Sequence, residues 1–270
     1  MNYDTIWNDI LKIRERAPLI HNITNYVVMH STANALLAIG ASPVMAHAIE
    51  EVEEMVVHSN ALVLNIGTLS KSWIDAMFKA AYVANAKNIP IVVDPVGAGA
   101  TKLRTETIKM LLEDFRITIL RGNASEIKSI CYESHRTKGV DSIATSEEVI
   151  DFAKEISGKY DLTVTVSGSV DIIMKNNRMM KVHNGNPMMS RVTGMGCIAT
   201  AITGAFAAVN NDYFIAASEA MATVGIAGEI AAQKSSGSGS LEINFLDALF
   251  NLNLNDIAER LKIEIYEKEI

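Results

Sequence analysis

The chain has few of the residues that build disulfide or metal frameworks. Its 270 residues include only two cysteines, Cys131 and Cys197, which lie far apart and outside any Cys-x-x-Cys spacing. The six histidines show no tight metal-ligand spacing either. We therefore expect neither a disulfide framework nor a structural zinc site.

Clustered basic residues are also missing. The 24 Lys and Arg are outnumbered by 31 Asp and Glu, so the formal net charge is −7, with a pI near 5.4. Proteins that hold a nucleic-acid backbone do so with clustered Lys and Arg. The composition therefore argues against nucleic acid as a partner.

No hydrophobic run has the length of a membrane span. The longest apolar stretch, residues 197–209, is interrupted by Thr200, Thr203 and Gly204, and it is shorter than the roughly 20 residues that a span requires. The first residues also lack a basic segment followed by an apolar run, so no secretory signal is expected. We expect a cytoplasmic protein without a membrane segment, in which residues 197–209 form a core helix.

What the chain does have is enough apolar material for one large core. Hydrophobic residues make up 49% of the sequence and charged residues 20%. No interior stretch has the composition of a linker, so we expect a single α/β domain over residues 1–270.

Strand and helix patterns alternate along the chain. Continuous apolar runs, typical of buried strands, occur at residues 61–66, 90–93, 117–120, 162–166 and 170–174. Helices are predicted at residues 69–87, 101–115 and 124–130, and from a capping-box sequence at 145–148 to Tyr160. Residues 121–123 are predicted to be a turn, and the last third to be helical except for 235–240. Apolar strands separated by helices predict a mostly parallel sheet covered on both faces, a three-layer α/β/α fold.

Ligands of such sheets bind at the carboxyl ends of the strands. The polar residues that follow each apolar run are therefore candidates for a site. These candidates are Thr68, Asp94, Arg121, Asn123, Glu126 and Ser167, together with the turn at residues 194–197.

Each candidate also has a structural alternative. Asp94 lies before a proline, so it is either a turn residue or a carboxylate placed to hold hydrated Mg²⁺. Asn123 and Glu126 have the spacing of a helix N-cap with its reciprocal acid. That spacing alone favours the capping role, which is compatible with a metal role for Glu126. Arg121 either pairs with a surface acid or holds a nucleotide phosphate, and Ser167 is either a turn former or a nucleotide contact.

The most informative motif is Val-Thr-Gly-Met-Gly-Cys at residues 192–197. Gly194 and Gly196 let the backbone approach a ligand, and the helix that follows offers unpaired N–H groups to a transferring phosphate. Cys197 lies in the first turn, where a helix dipole favours a thiolate, although a buried inert thiol is the alternative. The sequence has no P-loop and does not match a dinucleotide-binding fingerprint. The motif indicates phosphoryl chemistry on a small molecule through another kind of phosphate cradle.

Several motifs together resemble the hydroxyethylthiazole kinase family of the ribokinase-like superfamily. They lie at residues 21–25, 33–34, 40–45, 65–68, 94–97, 122–126 and 192–197. The resemblance implies a ribokinase-like fold and transfer of the γ-phosphate of ATP to the primary hydroxyl of 4-methyl-5-(2-hydroxyethyl)thiazole, with Mg²⁺. It also implies a homotrimer with substrate pockets at the subunit boundaries.

The resemblance further assigns roles to residues of this chain. Residues expected to contact the thiazole are Met45, Gly194, Asn25 and Thr68. Residues expected to contact ATP are Arg121, Ser167 and Asn123. Residues expected to orient Mg²⁺ are Asp94 and Glu126. Residues expected to take part in catalysis are Gly194, Gly196 and Cys197.

Cys197 departs from the broader superfamily, which usually has an aspartate there as general base, although the thiazole kinases share the cysteine. The identity of the base is therefore open. A loose, metaphosphate-like transition state needs little prior deprotonation of the alcohol, so positioning and charge neutralisation are expected to dominate. Hydroxymethylpyrimidine kinase, nicotinamide-hydrate dehydratase and a binding module without catalysis are the alternatives, and the joint presence of Asp94, Glu126 and Arg121 argues against the last.

Overall fold

Strands with continuous apolar side chains pair into one sheet at the centre of the protein. The computed structural model describes residues 1–131 and 146–267. The strands in these ranges are β1 (Leu19–Ile23), β2 (Ser42–Val44), β3 (Ala61–Asn65), β4 (Ile91–Asp94), β5 (Ile119–Asn123), β6 (Thr163–Ser167), β7 (Asp171–Lys175), β8 (Arg178–Val182) and β9 (Ile263–Glu267). Their order is β2-β1-β3-β4-β5-β6-β7-β8-β9. β1 to β6 are parallel, and β7 to β9 are each antiparallel to the strand before.

Helices cover both faces of this sheet. They are α1 (Tyr3–Arg16), α2 (Met29–Ile39), α3 (Val52–Val57), α4 (Lys71–Lys87), α5 (Lys102–Asp114), α6 (Ala124–Cys131), α7 (Ser146–Tyr160), α8 (Met195–Ala207), α9 (Tyr213–Gln233), α10 (Ser238–Asn251) and α11 (Leu254–Arg260), with a 3-10 helix at Pro187–Arg191. α1, α2 and α8 to α11 pack on one face, whereas α3 to α7 pack on the other. Each large apolar side chain buried there, such as Phe206, contributes about 1.5–3 kcal/mol. The predicted three-layer α/β/α fold is confirmed.

The core helix predicted at residues 197–209 is α8. Its small side chains allow it to lie close to the sheet. At Gly204, an added Cβ would lie only 2.7 Å from Cγ2 of Val63 on β3. This close packing fixes the position of the N-terminal turn of α8 relative to the strand ends.

Helix α9 is, among the described residues, long and apolar enough to cross a membrane by length and composition alone. Most of its side chains are buried in the fold, where it packs against α8 and α10. Its apolar composition is therefore accounted for by packing within the protein.

The prediction of a helical last third is wrong at β9, which lies there and pairs with β8. In β9, Ile263 and Ile265 alternate with Glu264 and Tyr266, which is the period of a strand. The Ser/Gly-rich residues 235–240 interrupt the helices only as far as Gly237, because α10 begins at Ser238.

The turn predicted at residues 121–123 is also wrong. These residues belong to β5, where Arg121 is in register with Thr165 and Asn123 with Ser167. Backbone pairing with β6 extends the strand past its apolar segment, and α6 follows at once. The capping-box sequence predicted at 145–148 begins outside the described residues.

Candidate active site

The N-terminal turn of α8 faces the edge at which the parallel strands end. β3, β4, β5 and β6 end at this edge with Asn65, Asp94, Asn123 and Ser167. Side chains on these strands and on the loop after β1 contact residues 196–200 of α8. The fold thus brings together candidate residues that are widely separated in the sequence.

Gly194 and Gly196 are required by close approaches to other elements. Gly194 is the N-cap of α8 with a φ of +88°, and a Cβ there would lie 2.8 Å from Cγ1 of Val28. A Cβ on Gly196 would lie 2.9 Å from Nη1 of Arg121. The Arg121 guanidinium therefore lies against the first turn of α8.

The start of α8 also presents amide donors at this place. The first bond of the helix runs from the N–H of Ile198 to the carbonyl of Gly194, at 2.8 Å. The N–H groups of residues 195–197 precede this ladder and have no carbonyl of their own helix to bind. Amides at a helix start, beside a guanidinium, form an environment that favours an anion.

Cys197 carries a neutral thiol. Burial, followed by the charge of Asp94, raises its pKa to about 11. Its Sγ lies 3.5 Å from Nδ2 of Asn25, which donates a hydrogen bond to it. The expectation that the start of α8 favours the thiolate is therefore wrong, because burial and a neighbouring carboxylate outweigh the helix dipole.

Asp94 is a buried carboxylate held by two side chains. Nδ2 of Asn65 and Oγ1 of Thr200 both donate to its Oδ2, at 2.9 and 2.8 Å. Asn65 in turn accepts a hydrogen bond from Nδ2 of Asn25 at 2.9 Å. Burial is the largest effect on Asp94 and raises its pKa to about 6, although Arg121 and the two hydrogen bonds lower it. Asp94 thus belongs to an organised polar network, which a simple turn residue would not need.

The N-cap interpretation of Asn123 and Glu126 is confirmed. Oδ1 of Asn123 accepts from the N–H of Glu126 at 2.9 Å, and Oε2 of Glu126 accepts from the N–H of Asn123 at 2.8 Å. Oε1 of Glu126 also accepts from the N–H of Gly97 at 2.8 Å. The Glu126 carboxylate is therefore fixed between the loop after β4 and the start of α6.

The carboxylates of Asp94 and Glu126 suit a magnesium ion that also takes phosphate oxygens as ligands. Mg²⁺ in such sites takes one or two carboxylates and keeps waters and phosphate oxygens as its other ligands. The two carboxylates are near enough for the charge of Glu126 to raise the pKa of Asp94, and both hydrogen bonds to Asp94 use one oxygen. Residues 1–131 and 146–267 contain no cluster of three or more His, Cys, Asp or Glu suited to a metal, so a protein cage for an ion is absent from this part of the chain.

Arg121 and Ser167 lie on neighbouring strands at the same edge. Arg121 is only 8% exposed, and its Nε has no hydrogen-bond partner within the described ranges. A surface ion pair is therefore the wrong interpretation of Arg121. Oγ of Ser167 donates to the carbonyl of Gly122 at 3.3 Å. A buried guanidinium with an unused N–H, next to the amides of α8, suits a phosphate ligand.

The residues expected to contact the thiazole follow β1, β2 and β3. Asn25 packs so closely on the loop after β3 that a Cβ on Gly67 would lie 2.8 Å from its Nδ2. Oγ1 of Thr68 accepts from the N–H of Tyr26 at 3.2 Å, which joins the same two loops. Met45 is half-buried directly after β2, the edge strand that pairs with β1. These residues lie at the carboxyl ends of the strands, where α8 begins, and on the side of Asp94 away from Ser167.

Comparison with known proteins identifies the family to which this geometry belongs. The sequence model of the Hydroxyethylthiazole kinase family matches residues 10–255 of the chain. The chain belongs to the hydroxyethylthiazole kinase family.

Relatives with this name are similar over nearly their whole length. A hydroxyethylthiazole kinase of Syntrophus aciditrophicus is 56% identical over 261 residues, which cover 96% of this chain and 97% of the relative. One of Leptospira biflexa is 52% identical over 253 residues, covering 94% and 95%. The solved structure of a hydroxyethylthiazole kinase protein from Pyrococcus horikoshii is 42% identical, with a TM-score of 0.91 over 98% of this chain and 100% of that one.

More distant structures show the fold alone. A pyridoxal kinase from Staphylococcus aureus is 15% identical, with a TM-score of 0.66 over 93% of this chain and 98% of that one. A ribokinase-like superfamily protein from Enterococcus faecalis is 13% identical, with a TM-score of 0.63 over 89% and 87%. The predicted ribokinase-like architecture of this family member is confirmed.

Asn65 and Thr200 have structural roles at the site of this kinase that the sequence did not indicate. Asn65 ends a continuous apolar strand, so the strand-end rule could have marked it as a candidate site residue. Thr200 lies three residues after Cys197, which places both on the same face of α8. Their hydrogen bonds to Asp94 connect β3, β4 and α8.

Arg104 on α5 also supports the site without a sequence signal. Its Nη1 donates to the carbonyl of Val96 at 2.8 Å, and its Nη2 to the carbonyl of Gly67 at 2.6 Å. It thereby joins the loops after β3 and β4. Only the folded chain brings these two carbonyls to the same guanidinium.

Proposed function

We propose that this chain transfers the γ-phosphoryl group of ATP to the primary hydroxyl of 4-methyl-5-(2-hydroxyethyl)thiazole. Membership of the hydroxyethylthiazole kinase family supports the reaction. The observation that carries the proposal is the position of α8, whose first turn lies against Arg121 at Gly196 and whose second turn bonds to Asp94 through Thr200. Donors for a phosphoryl group and a carboxylate for its cation thus meet at one helix start.

Arg121, Ser167 and Asn123 bind ATP in this proposal. The buried guanidinium of Arg121 donates to phosphate oxygens. The negative charge of the phosphate is the counter-charge that a buried cation needs. Ser167 and Asn123 lie side by side in register at the ends of β6 and β5. They border the nucleotide, whereas the alcohol lies on the opposite side of Arg121.

Met45, Asn25, Thr68 and Gly194 bind the thiazole alcohol. The loops that carry Asn25 and Thr68 are joined by the hydrogen bond between Thr68 and the N–H of Tyr26. A φ of +88° at Gly194 lets the backbone pass close to this pocket. The hydroxyl of the substrate would be held near the first turn of α8, in line with the phosphate.

The residues of α8 stabilise the transferring group mainly by position. The N–H groups of residues 195–197 and the Arg121 guanidinium meet the charge on the phosphoryl oxygens, which is where a loose transition state needs neutralisation. Asp94 and Glu126 hold Mg²⁺, which supplies further charge neutralisation when it is bound. Cys197 contributes by its place in the turn, because a thiol with a pKa of about 11 is a poor base near neutral pH.

The site lies beside an exposed apolar surface, which supports a homotrimer with shared pockets. Tyr26 is 63% and Val27 68% exposed, although both directly follow Asn25. A subunit packed on this surface would bury them and close the thiazole pocket. Val27→Asp is expected to separate the subunits in light scattering and to raise KM for the thiazole, whereas Leu103→Asp, at an exposed position on α5, is expected to do neither. We also infer that the enzyme acts in the cytoplasm, where ATP and Mg²⁺ are available.

The activity is tested by direct assay of the purified chain. With ATP, Mg²⁺ and the thiazole alcohol, we expect ADP and a phosphorylated thiazole by mass spectrometry. Hydroxymethylpyrimidine and hydrated NADH are assayed in parallel. Phosphorylation of the pyrimidine alone, dehydration of the hydrated cofactor, or nucleotide binding without turnover would each contradict the proposal.

A further inference from the structure

Asp171 is a buried carboxylate at the end of the sheet where α8 begins. The reaction proposed above assigns it no role. It begins β7 and is 7% exposed. Its Oδ1 accepts a hydrogen bond from the N–H of Gly168 at 3.0 Å. Gly168 follows Ser167 in the turn between β6 and β7, so this bond fixes the turn that presents the Ser167 hydroxyl.

Asp171 and Arg121 project from the same face of the sheet. Ile119 on β5 and Ile173 on β7 both pack in the core that contains α8 and α9. Because side chains two residues apart on a strand share a face, Arg121 and Asp171 also point towards α8 and α9. Only β6 separates their strands, a distance of roughly 10 Å between backbones that a long arginine side chain spans.

The electrostatics of Asp171 agree with this geometry. Burial raises its pKa to about 6, whereas the Gly168 hydrogen bond and the charge of Arg121 lower it. The group is therefore ionised near neutral pH despite its burial. A buried guanidinium also needs an opposing charge nearby, because an isolated buried ion is costly.

We propose that Asp171 is a positioning residue for ATP binding. Its hydrogen bond holds the Ser167–Gly168 turn, and its charge holds the Arg121 guanidinium. The inference rests on the proposed binding of ATP by Ser167 and Arg121. It adds that one carboxylate sets the relative position of both ATP contacts before the nucleotide arrives. Preorganised donors then bind phosphate without the cost of ordering them.

Asp171→Asn tests the role of the charge, since an asparagine oxygen still accepts from the Gly168 N–H. We expect KM for ATP to rise about tenfold while KM for the thiazole alcohol changes less than about twofold. The matched control is Asp161→Asn, which removes a carboxylate bound to Lys175 at the opposite end of the same hairpin. The control is expected to leave both KM values unchanged. Unchanged or tighter ATP binding by Asp171→Asn would overturn the proposal.

A double-mutant cycle with Arg121→Met separates positioning from general structural damage. If Asp171 acts through Arg121, Asp171→Asn weakens ADP binding in the wild-type background and changes it less than about twofold in Arg121→Met. Equal weakening in both backgrounds would overturn the proposal. Calorimetry with ADP gives this result even if the thiazole is not the substrate, so the two proposals fail separately. Asp171→Ala, which also loses the Gly168 bond, is expected to weaken ADP binding more than Asp171→Asn, and the reverse order would count against the turn contact.

Discussion

The hydroxyl of Thr200 donates to Oδ2 of Asp94 at 2.8 Å, and this bond joins α8 to β4. Asn65 donates to the same oxygen at 2.9 Å from β3. Donors from two elements thus fix one oxygen of Asp94. The distance between the helix start and the carboxylate is thereby set by the protein before any substrate binds.

We expect Thr200→Val to uncouple α8 from Asp94. Valine keeps the shape of threonine but leaves Asp94 with one donor fewer, which should lower the free energy of unfolding by about 1–3 kcal/mol. Turnover should fall by about tenfold because Asp94 loses its orientation. Urea unfolding and steady-state kinetics measure the two effects.

Thr203→Val is the matched control for this variant. The Thr203 hydroxyl is equally buried and donates at 2.8 Å to the carbonyl of Ala199 in its own helix. We expect its loss to leave turnover within about twofold. Similar kinetic losses in both variants would show that the Asp94 bond has no special role.

Asp94→Ala should lower turnover far more than it weakens binding of the thiazole. Asp94 faces Glu126 and α8, where the phosphoryl group and its cation are expected, whereas the alcohol is expected towards Asn25. A group that acts mainly in the transition state affects kcat more than ground-state binding. The check is a comparison of kcat with the dissociation constant of the thiazole from calorimetry, and equal losses in both would indicate that Asp94 shapes the pocket.

The features predictable from the sequence are those that depend on neighbouring residues. Continuous apolar runs marked β3 to β7 but not the parallel strand β1, and the three-residue spacing marked the Asn123–Glu126 cap. The strand-end rule then placed Asp94, Arg121 and Ser167 at one edge, because parallel strands end together.

What could not be predicted depends on distant parts of the chain. The protonation of Cys197 is set by burial and by Asp94, so its position in the helix alone gave the wrong direction. The contact of Arg121 with Gly196, and the network around Asp94, exist only after α8 has packed on the sheet. β9 is a strand because β8 offers it an edge, which its own residues indicate only weakly.

Adding a methyl group at Gly196 should abolish turnover through Arg121. The new Cβ would lie 2.9 Å from Nη1 of Arg121, and the guanidinium is the part that can move. We expect a folded Gly196→Ala protein with turnover reduced by about a hundredfold or more and a raised KM for ATP. Gly194→Ala should also abolish turnover, because its φ of +88° and the contact with Val28 disfavour any side chain.

Gly239→Ala is the control for both glycine variants. Gly239 lies in α10 with no atom within 4 Å of an added Cβ, so alanine there should leave turnover unchanged and raise the melting temperature slightly. Kinetics and thermal unfolding are measured on all three proteins. Full activity in Gly196→Ala would show that the contact of Arg121 with Gly196 is not needed for catalysis.

Cys197→Asp should keep or raise turnover. The thiol is neutral, with a pKa of about 11, so we expect the enzyme to work without a strong base at this position. A carboxylate there would add a proton acceptor and leave the backbone amides of the turn in place. The measurement is kcat for the thiazole alcohol, and a folded variant without detectable activity would refute this account of the turn.

Glu219 gives the protein a stability that decreases with rising pH. It is fully buried in α9, and burial, followed by the nearby Asp9, raises its pKa to about 8. Asp9 is itself held by Lys12 and Asn210 at 2.6 Å each, and its proximity favours the protonated form of Glu219.

The sign of the effect follows from proton uptake on folding. Between the ordinary pKa of a glutamate, near 4.5, and about 8, the folded protein holds a proton that the unfolded chain has lost. Stability from this group is therefore complete below pH 4.5 and is lost as the pH rises to about 8, by about 1.4 kcal/mol per pH unit. Glu219→Gln cannot ionise, so its free energy of unfolding should lose this slope, whereas Glu259→Gln at an exposed position of α11 should keep it. Urea unfolding from pH 5 to pH 8.5 measures the slopes, and a Glu219→Gln protein with the wild-type slope would assign the pH dependence to other groups.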